Sequence, residues 1–271
     1  MKFDISIWGE ALEVIRRNLV VFLVAIGTLW LVDITIFAIK PEAQSPAYLS
    51  FIVGMYLAIA CHATILRNVQ GFKVFNSLEK KAYTRFWLRA GAIALLSFIP
   101  TFVLSIAIFQ SLDLKAAGGD VGFILAMLIG VILYGGLSLA LLSLAGTWLP
   151  AAIMGDGSSL KRAFARGRKT VGYSASRLII GPGANVVLFA ISIFVLPPQI
   201  PEAIRAYTFH VGSFQFIPLD IVLNGFGNVV WATGTVLIAV VLSRAYLLGE
   251  ERCKNNDVTG QEQIPELQRA D

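Results

Sequence analysis

Six apolar runs, joined by segments whose Lys and Arg fall almost wholly on one side, constrain this chain more than any motif does. The runs are Leu19–Ile39, Tyr48–Leu66, Trp87–Phe109, Val121–Leu149, Leu178–Val195 and Ile221–Val241. Most approach the roughly 20 residues that a helix needs to cross a bilayer at about 1.5 Å per residue. The connecting segments are then assigned alternately to two sides. One side receives Lys2, Arg16, Arg17, Arg67, Lys73, Lys80, Lys81, Arg85, Arg89, Lys161, Arg162, Arg166, Arg168, Lys169, Arg177, Arg244, Arg252, Lys254 and Arg269. The other receives only Lys40, Lys115 and Arg205. A wrong number of spans would scramble this alternation. Basic residues accumulate on the cytoplasmic side of membrane proteins. The pattern therefore predicts an all-α, multi-pass bundle of six transmembrane helices, with both termini in the cytoplasm. Only 14% of the residues are charged, against about 25% in soluble domains.

The net charge of +5 divides by side, positive inside and slightly negative outside. It is a topology signal and an attraction to anionic lipid headgroups, so no nucleic-acid partner is implied. Cys61 falls in the second run and Cys253 in the inner tail, which excludes a disulfide between them. No Cys/His spacing suggests a metal, and no cofactor is implied. Metalloprotease, hydrolase and Walker patterns are missing, and Gly225-x-Gly227 lacks the strand-turn-helix context of a dinucleotide site. The first run is too long for a signal h-region and reads as an uncleaved helix.

Amphipathic stretches precede the first, third and fifth runs. Ile5, Trp8, Leu12 and Ile15 share one face of the first, with Ser6, Glu10, Glu13 and Arg17 on the other. Asn76 with Glu79 imitates a capping box ahead of the second, where Leu78, Ala82 and Phe86 share a face. In the third, Leu160, Ala163 and Phe164 share a face. Lys161, Arg162, Arg166, Arg168 and Lys169 cover the rest, a set expected to contact anionic lipid. Gly167 should weaken that helix by about 1 kcal/mol against Ala. Short cytoplasmic helices are therefore expected before spans one, three and five. Those spans also end alike, in Ile34-Thr35-Ile36-Phe37, Ile106-Ala107-Ile108-Phe109 and Ile191-Ser192-Ile193-Phe194. Together these features suggest a threefold repeat of two-span units, with coincidence in a biased composition as the alternative. Residues 1–252 form the membrane domain on this reading, and 253–271 a polar, disordered cytoplasmic tail.

Polar groups inside the runs are the candidate site. Asp33 lies some six residues from the outer end of its span, where a carboxylate needs a partner. The sixth run offers Asn224 and Asn228 at i, i+4 on one face. Asn185, beside Gly181-Pro182-Gly183, sits where Pro182 should break the fifth run, as Pro100 should kink the third. The functional reading of these residues is a proton or cation site; the bland one is structural hydrogen bonding. His62 near the inner end of the second span reads as a packing histidine. Gly135, Gly136, Ala140, Ser143 and Thr147 give the fourth run small-residue spacing and a central place in the bundle.

The stretch from Thr147 to Thr170 carries Pro150, Gly157, Ser159, Leu160, Ala163 and Arg168. In these positions the chain resembles a group of bacterial six-span inner-membrane proteins. The group includes the membrane domain found beside glycerophosphodiester phosphodiesterases, together with related inner-membrane families. The resemblance implies an inner-membrane helical bundle. It does not carry the phosphodiesterase activity, since no catalytic domain accompanies the motif. The expected role is non-enzymatic, structural or accessory, engaging anionic lipid or a membrane-protein partner. The alternative is a small-solute transporter using Asp33 and the broken third and fifth helices.

Overall fold

The computed structural model describes residues 6–39, 47–111, 119–156, 159–191, 199–205, 207–212 and 214–262. Among them the fold is all-α apart from one two-stranded hairpin. Five helices are long and apolar enough to cross a membrane: Leu19–Ile39, Tyr48–Arg67, Lys80–Ile108, Leu128–Ala145 and Pro218–Asn255. They make the chain compatible with a multi-pass membrane protein. Its helices gather into two units, Met1–Glu79 with Arg177–Val241, and Lys80–Ser176 with Leu242–Asp271.

In the first unit, α1 (Ile7–Arg17) starts where Ser6 Oγ accepts the Gly9 N–H at 3.1 Å. Its buried face is Ile7, Ala11 and Val14, while Trp8 and Ile15 are half-buried and Leu12 is 65% exposed. Ala11 at the centre of that face lets α1 approach its neighbours closely. α1 turns into α2 (Leu19–Ile39) at buried Asn18. The Asn18 amide donates to Val14 O at 3.0 Å and to Thr64 Oγ1 at 2.8 Å, and its Oδ1 accepts the Gly71 N–H at 2.9 Å. This single residue ties the corner to α3 (Ala47–Arg67) and to the turn beyond it.

After α3, Asn68 and Gly71 take positive φ, and α4 (Lys73–Ser77) is a short helix. Asn76 lies inside α4, so it does not cap the next helix as expected. On α3, Gly54 admits the Trp231 ring so closely that a Cβ would lie 2.8 Å from it. A hairpin, β1 (Phe209–Val211) and β2 (Phe214–Phe216), packs against α2. Gly212, with φ of 63°, forms its turn, as two-residue hairpin turns require.

In the second unit, α5 (Lys80–Ser111) is one helix of 32 residues. The amphipathic stretch before the third run is the first turns of α5 rather than a separate helix, because nothing between Lys80 and Trp87 breaks it. α5 packs along α6 (Gly119–Ala145) and α7 (Trp148–Ile153). The run expected to be central is instead the least buried of the five candidate spans, with 11% of its window buried against 44% for two others. High hydropathy here marks an outward surface.

α8 (Leu160–Leu178) likewise continues past its basic stretch. It passes into a π-turn, Ile179–Gly183, and then α9 (Ala184–Ala190). Pro182 offers no N–H, and the wider turn absorbs the missing bond. The fifth run is therefore divided, with its last residues outside those described, and it is not among the five candidate spans. A helical turn follows, α10 (Glu202–Arg205). The last helix, α11, spans Pro218–Glu262. It passes Cys253 without a break, so the polar tail begins as helix; residues 263–271 lie outside those described. So does part of the third I-x-I-F copy, at residues 192–194.

Candidate functional site

Each unit holds a polar cluster built on a charged residue. In the second unit it forms around Arg166, whose side chain is 0% exposed. Ala163, Arg166, Gly167 and Thr170 make the buried face of α8. Gly167 is required there: a Cβ would lie 1.9 Å from the carbonyl oxygen of Leu144 on α6. The close approach carries Arg166 into the interior, where it needs partners. Its Nη1 donates to Glu250 Oε1 at 2.6 Å and to Asp156 Oδ2 at 3.4 Å. Its guanidinium lies 4.9 Å from the centre of the Tyr246 ring. Gly249 makes room for the stem, since a Cβ there would come within 2.8 Å of Arg166 Cβ.

A second cation joins the cluster from α5. Buried Arg89 donates to Trp148 O at 2.7 Å, at the start of α7, and to Asp156 O at 3.3 Å, beyond its end. Asp156 thus bridges two arginines, one through its backbone and one through its carboxylate. Arg162 reaches Glu250 Oε2 at 2.9 Å from the surface. That hydrogen bond and the carboxylate's attraction hold its guanidinium above the usual arginine range. Lys169 donates to the carbonyl of Arg252 at 3.0 Å, and Arg252 returns a bond to the carbonyl of Lys169.

Of the five cations expected on a lipid-facing surface, Arg166 is therefore an interior ion-pair residue. Burial behind Gly167 takes it off that surface. Lys161, Arg162 and Arg168 are exposed, while Lys169 is half-buried against α11.

In the first unit the cluster forms around Asp33. Asn228 Nδ2 donates to Asp33 Oδ2 at 2.8 Å. Asn224 does not reach it; its amide donates to Asp220 O, one turn back, at 2.8 Å. Trp30 Nε1 donates to Ile221 O at 2.8 Å, over Gly225, where a Cβ would come within 3.0 Å of the indole nitrogen. Asp33, Asp220 and Asn224 line a cavity of about 30 Å³, with Ile34, Phe37, Phe216, Ile217 and Ile221 as its apolar wall. A buried water needs roughly 10–15 Å³ measured this way. The cavity has room for one or two waters.

Asn185 belongs elsewhere. Its amide donates to the carbonyl of Val230, and Gly234 faces it closely enough that a Cβ would lie 2.8 Å away. It staples α9 to α11 and does not line the Asp33 cavity. His62 is buried on α3. No group of His, Cys, Asp and Glu among the described residues is arranged to hold a metal.

Sequence reasoning missed Glu250, Asp156, Tyr246, Arg89 and Asn18. One signal was available. Ala163, Gly167 and Thr170 are small and recur at helical spacing with Arg166, which marks a face built for close packing. No family model, curated protein or solved structure matches the chain.

Proposed function

We propose that the chain is a six-span protein of the bacterial inner membrane with both termini in the cytoplasm. Its role on this reading is non-enzymatic, structural or accessory, engaging anionic lipid on the cytoplasmic side or a membrane partner. Counting the divided fifth run as a span preserves the one-sided placement of Lys and Arg. The resemblance around Pro150 to Arg168 agrees with an inner-membrane bundle. A threefold two-span repeat is part of the proposal. The observation that supports an accessory role best is that the polar clusters are bonded inward. Arg166, Arg89, Asp33 and Asn185 each hold a protein partner.

Anionic lipid is read from Lys161, Arg162 and Arg168, which remain exposed on α8, with Lys169 beside them. Each cation near an anionic leaflet is worth about 1 kcal/mol. The test uses the full-length protein in detergent micelles. Added phosphatidylglycerol should raise its unfolding temperature more than phosphatidylcholine does. Lys161→Gln with Arg168→Gln should remove the difference. Equal shifts in the parent would reject the lipid reading. Topology is tested separately. A cysteine at His210 should react with an impermeant thiol reagent outside intact cells, and cysteines at Ser77 or Ser159 should not. Labelling at Ser159 would reject the orientation.

A second reading rests on Asp33 and Asp220 facing one cavity. A proton- or cation-coupled transporter would use such a pair, and Asp33→Asn would then abolish coupled uptake while leaving protein abundance intact.

A further inference from the structure

The hairpin between α10 and α11 has two unlike faces. Pairing is antiparallel, with Phe209 opposite Phe216, His210 opposite Gln215 and Val211 opposite Phe214. Side chains alternate along a strand, so Phe209, Val211, Phe214 and Phe216 share one face and His210 takes the other. The Phe209 and Phe216 rings stack, with centroids 5.2 Å apart. The rest of that face is uncovered: Phe209 is 39% exposed, Val211 57% and Phe214 45%. An isolated two-stranded ribbon is at best marginally stable in water, and among the described residues three of this one's four apolar side chains stay exposed.

Two contacts fix where the hairpin sits. β2 packs against α2, and Phe216 shares the wall of the Asp33 cavity with Ile34 and Phe37. The chain then enters α11 at Pro218, two residues after the strand ends. The hairpin is thereby held at the ends of two candidate spans. Those ends are apolar outside as well: Ile39 on α2 and Val222 and Phe226 on α11 are exposed. The uncovered strand face continues this belt, and aromatic residues favour the boundary between headgroups and acyl chains.

We infer that the hairpin is a lipid anchor of the non-cytoplasmic leaflet: Phe209, Val211 and Phe214 enter the bilayer boundary, and His210 faces water. The inference rests on the membrane reading above and adds a lipid-contacting element outside the spans. It ties the wall of the Asp33 cavity to the bilayer surface through Phe216.

The test uses full-length protein reconstituted in phospholipid vesicles. Cys253→Ser removes one native thiol, and fully buried Cys61 is left in place with the parent as control. Single cysteines at His210, Val211, Phe214 and Phe226 are spin-labelled. Collisions with oxygen, which concentrates in lipid, are compared with collisions with a water-soluble nickel chelate. Labels at Val211 and Phe214 should favour oxygen as Phe226 does, and the label at His210 should favour nickel. Nickel preference at Val211 and Phe214, with oxygen preference retained at Phe226, overturns the anchor and leaves the membrane reading standing. Nickel preference at Phe226 overturns both. Shielding of Val211 and Phe214 from both agents means that protein covers the face, a second copy or another chain, and also overturns the lipid assignment.

Discussion

Gly167→Ala sets two opposed effects against each other, and the geometry decides the sign. In a helix interior Ala is favoured over Gly by about 0.8–1.0 kcal/mol. At Gly167, however, the new methyl would lie 1.9 Å from the Leu144 carbonyl oxygen, 2.5 Å from its carbon and 2.8 Å from its Cα. Carbon and carbonyl oxygen ordinarily approach to about 3.3–3.6 Å. α8 and α6 would have to part by more than an ångström, and the obstacle is backbone, which no rotamer change can move. Overpacking of this kind costs roughly 1–3 kcal/mol and occasionally more. The same separation loosens Arg166 from Glu250. Overpacking less the propensity gain leaves roughly 0–2 kcal/mol, and the loosened ion pair of buried Arg166 adds to it, so the net change is a loss.

Gly172, one and a half turns along the same helix, has nothing within 4 Å of a Cβ. Gly172→Ala should keep the propensity gain, up to about 1 kcal/mol. The assay is thermal unfolding of the purified full-length protein in one detergent, where 1 kcal/mol corresponds to about 2–4 °C in a chain of this size. The two substitutions should move Tm in opposite directions. Gly167→Ala unfolding at or above the parent temperature would refute the close approach, and with it the burial of Arg166.

Three further outcomes follow from named contacts. Glu250→Gln should destabilise the protein by about 3–5 kcal/mol, because it removes the nearer of the two carboxylates that face buried Arg166; adding Arg166→Met should recover much of the loss, and additive losses in denaturant titration would contradict the pairing. Asn18→Ala should cost about 1–3 kcal/mol by stripping partners from the Gly71 N–H and Thr64, and a Tm within error of the parent would show that water replaces the amide. Asp33→Asn should insert and unfold like the parent, since its side-chain oxygen can still accept from Asn228; loss of folded protein in fluorescence-detected gel filtration would require an ionised pair instead.

The long apolar helices were legible because hydropathy and length together leave few alternatives for α2, α3, α5, α6 and α11. The Asp33–Asn228 contact was foreshadowed by the cost of a carboxylate in a span, which demands a polar neighbour at comparable depth. Helix boundaries were less legible. Asn76 resembles a cap by spacing, yet it lies within α4, and Cys253 opens a polar stretch that stays helical to Glu262. Composition sets where a helix is favourable; packing of the preceding turns sets where it ends.

Which face of each helix packs was the least legible feature, and the reason is physical. In water a bulky apolar side chain is an argument for burial. In lipid it is satisfied outside as well as inside, so bulk loses its meaning and smallness acquires one. Leu12 and Ile132 are exposed while Phe86, Leu57 and Leu237 are buried, so bulk by itself does not mark the packed face; Ala11, Ala60, Ala63, Ala151, Ala163 and Ala232 are all buried. Reading α8 by its bulk, through Leu160 and Phe164, turns Arg166 outward with its four basic neighbours. Reading it by its small residues, Ala163, Gly167 and Thr170, turns Arg166 inward. A buried guanidinium then demands an acid, and nothing within α8 supplies one. The partner comes from Glu250, 84 positions away. It is available because Gly249 leaves space for the arginine stem beside it. The basic stretch is thus two things at once: one cation locked to acids inside the second unit, and a surface set whose exposed members, Lys161, Arg162 and Arg168, remain for whatever lies outside.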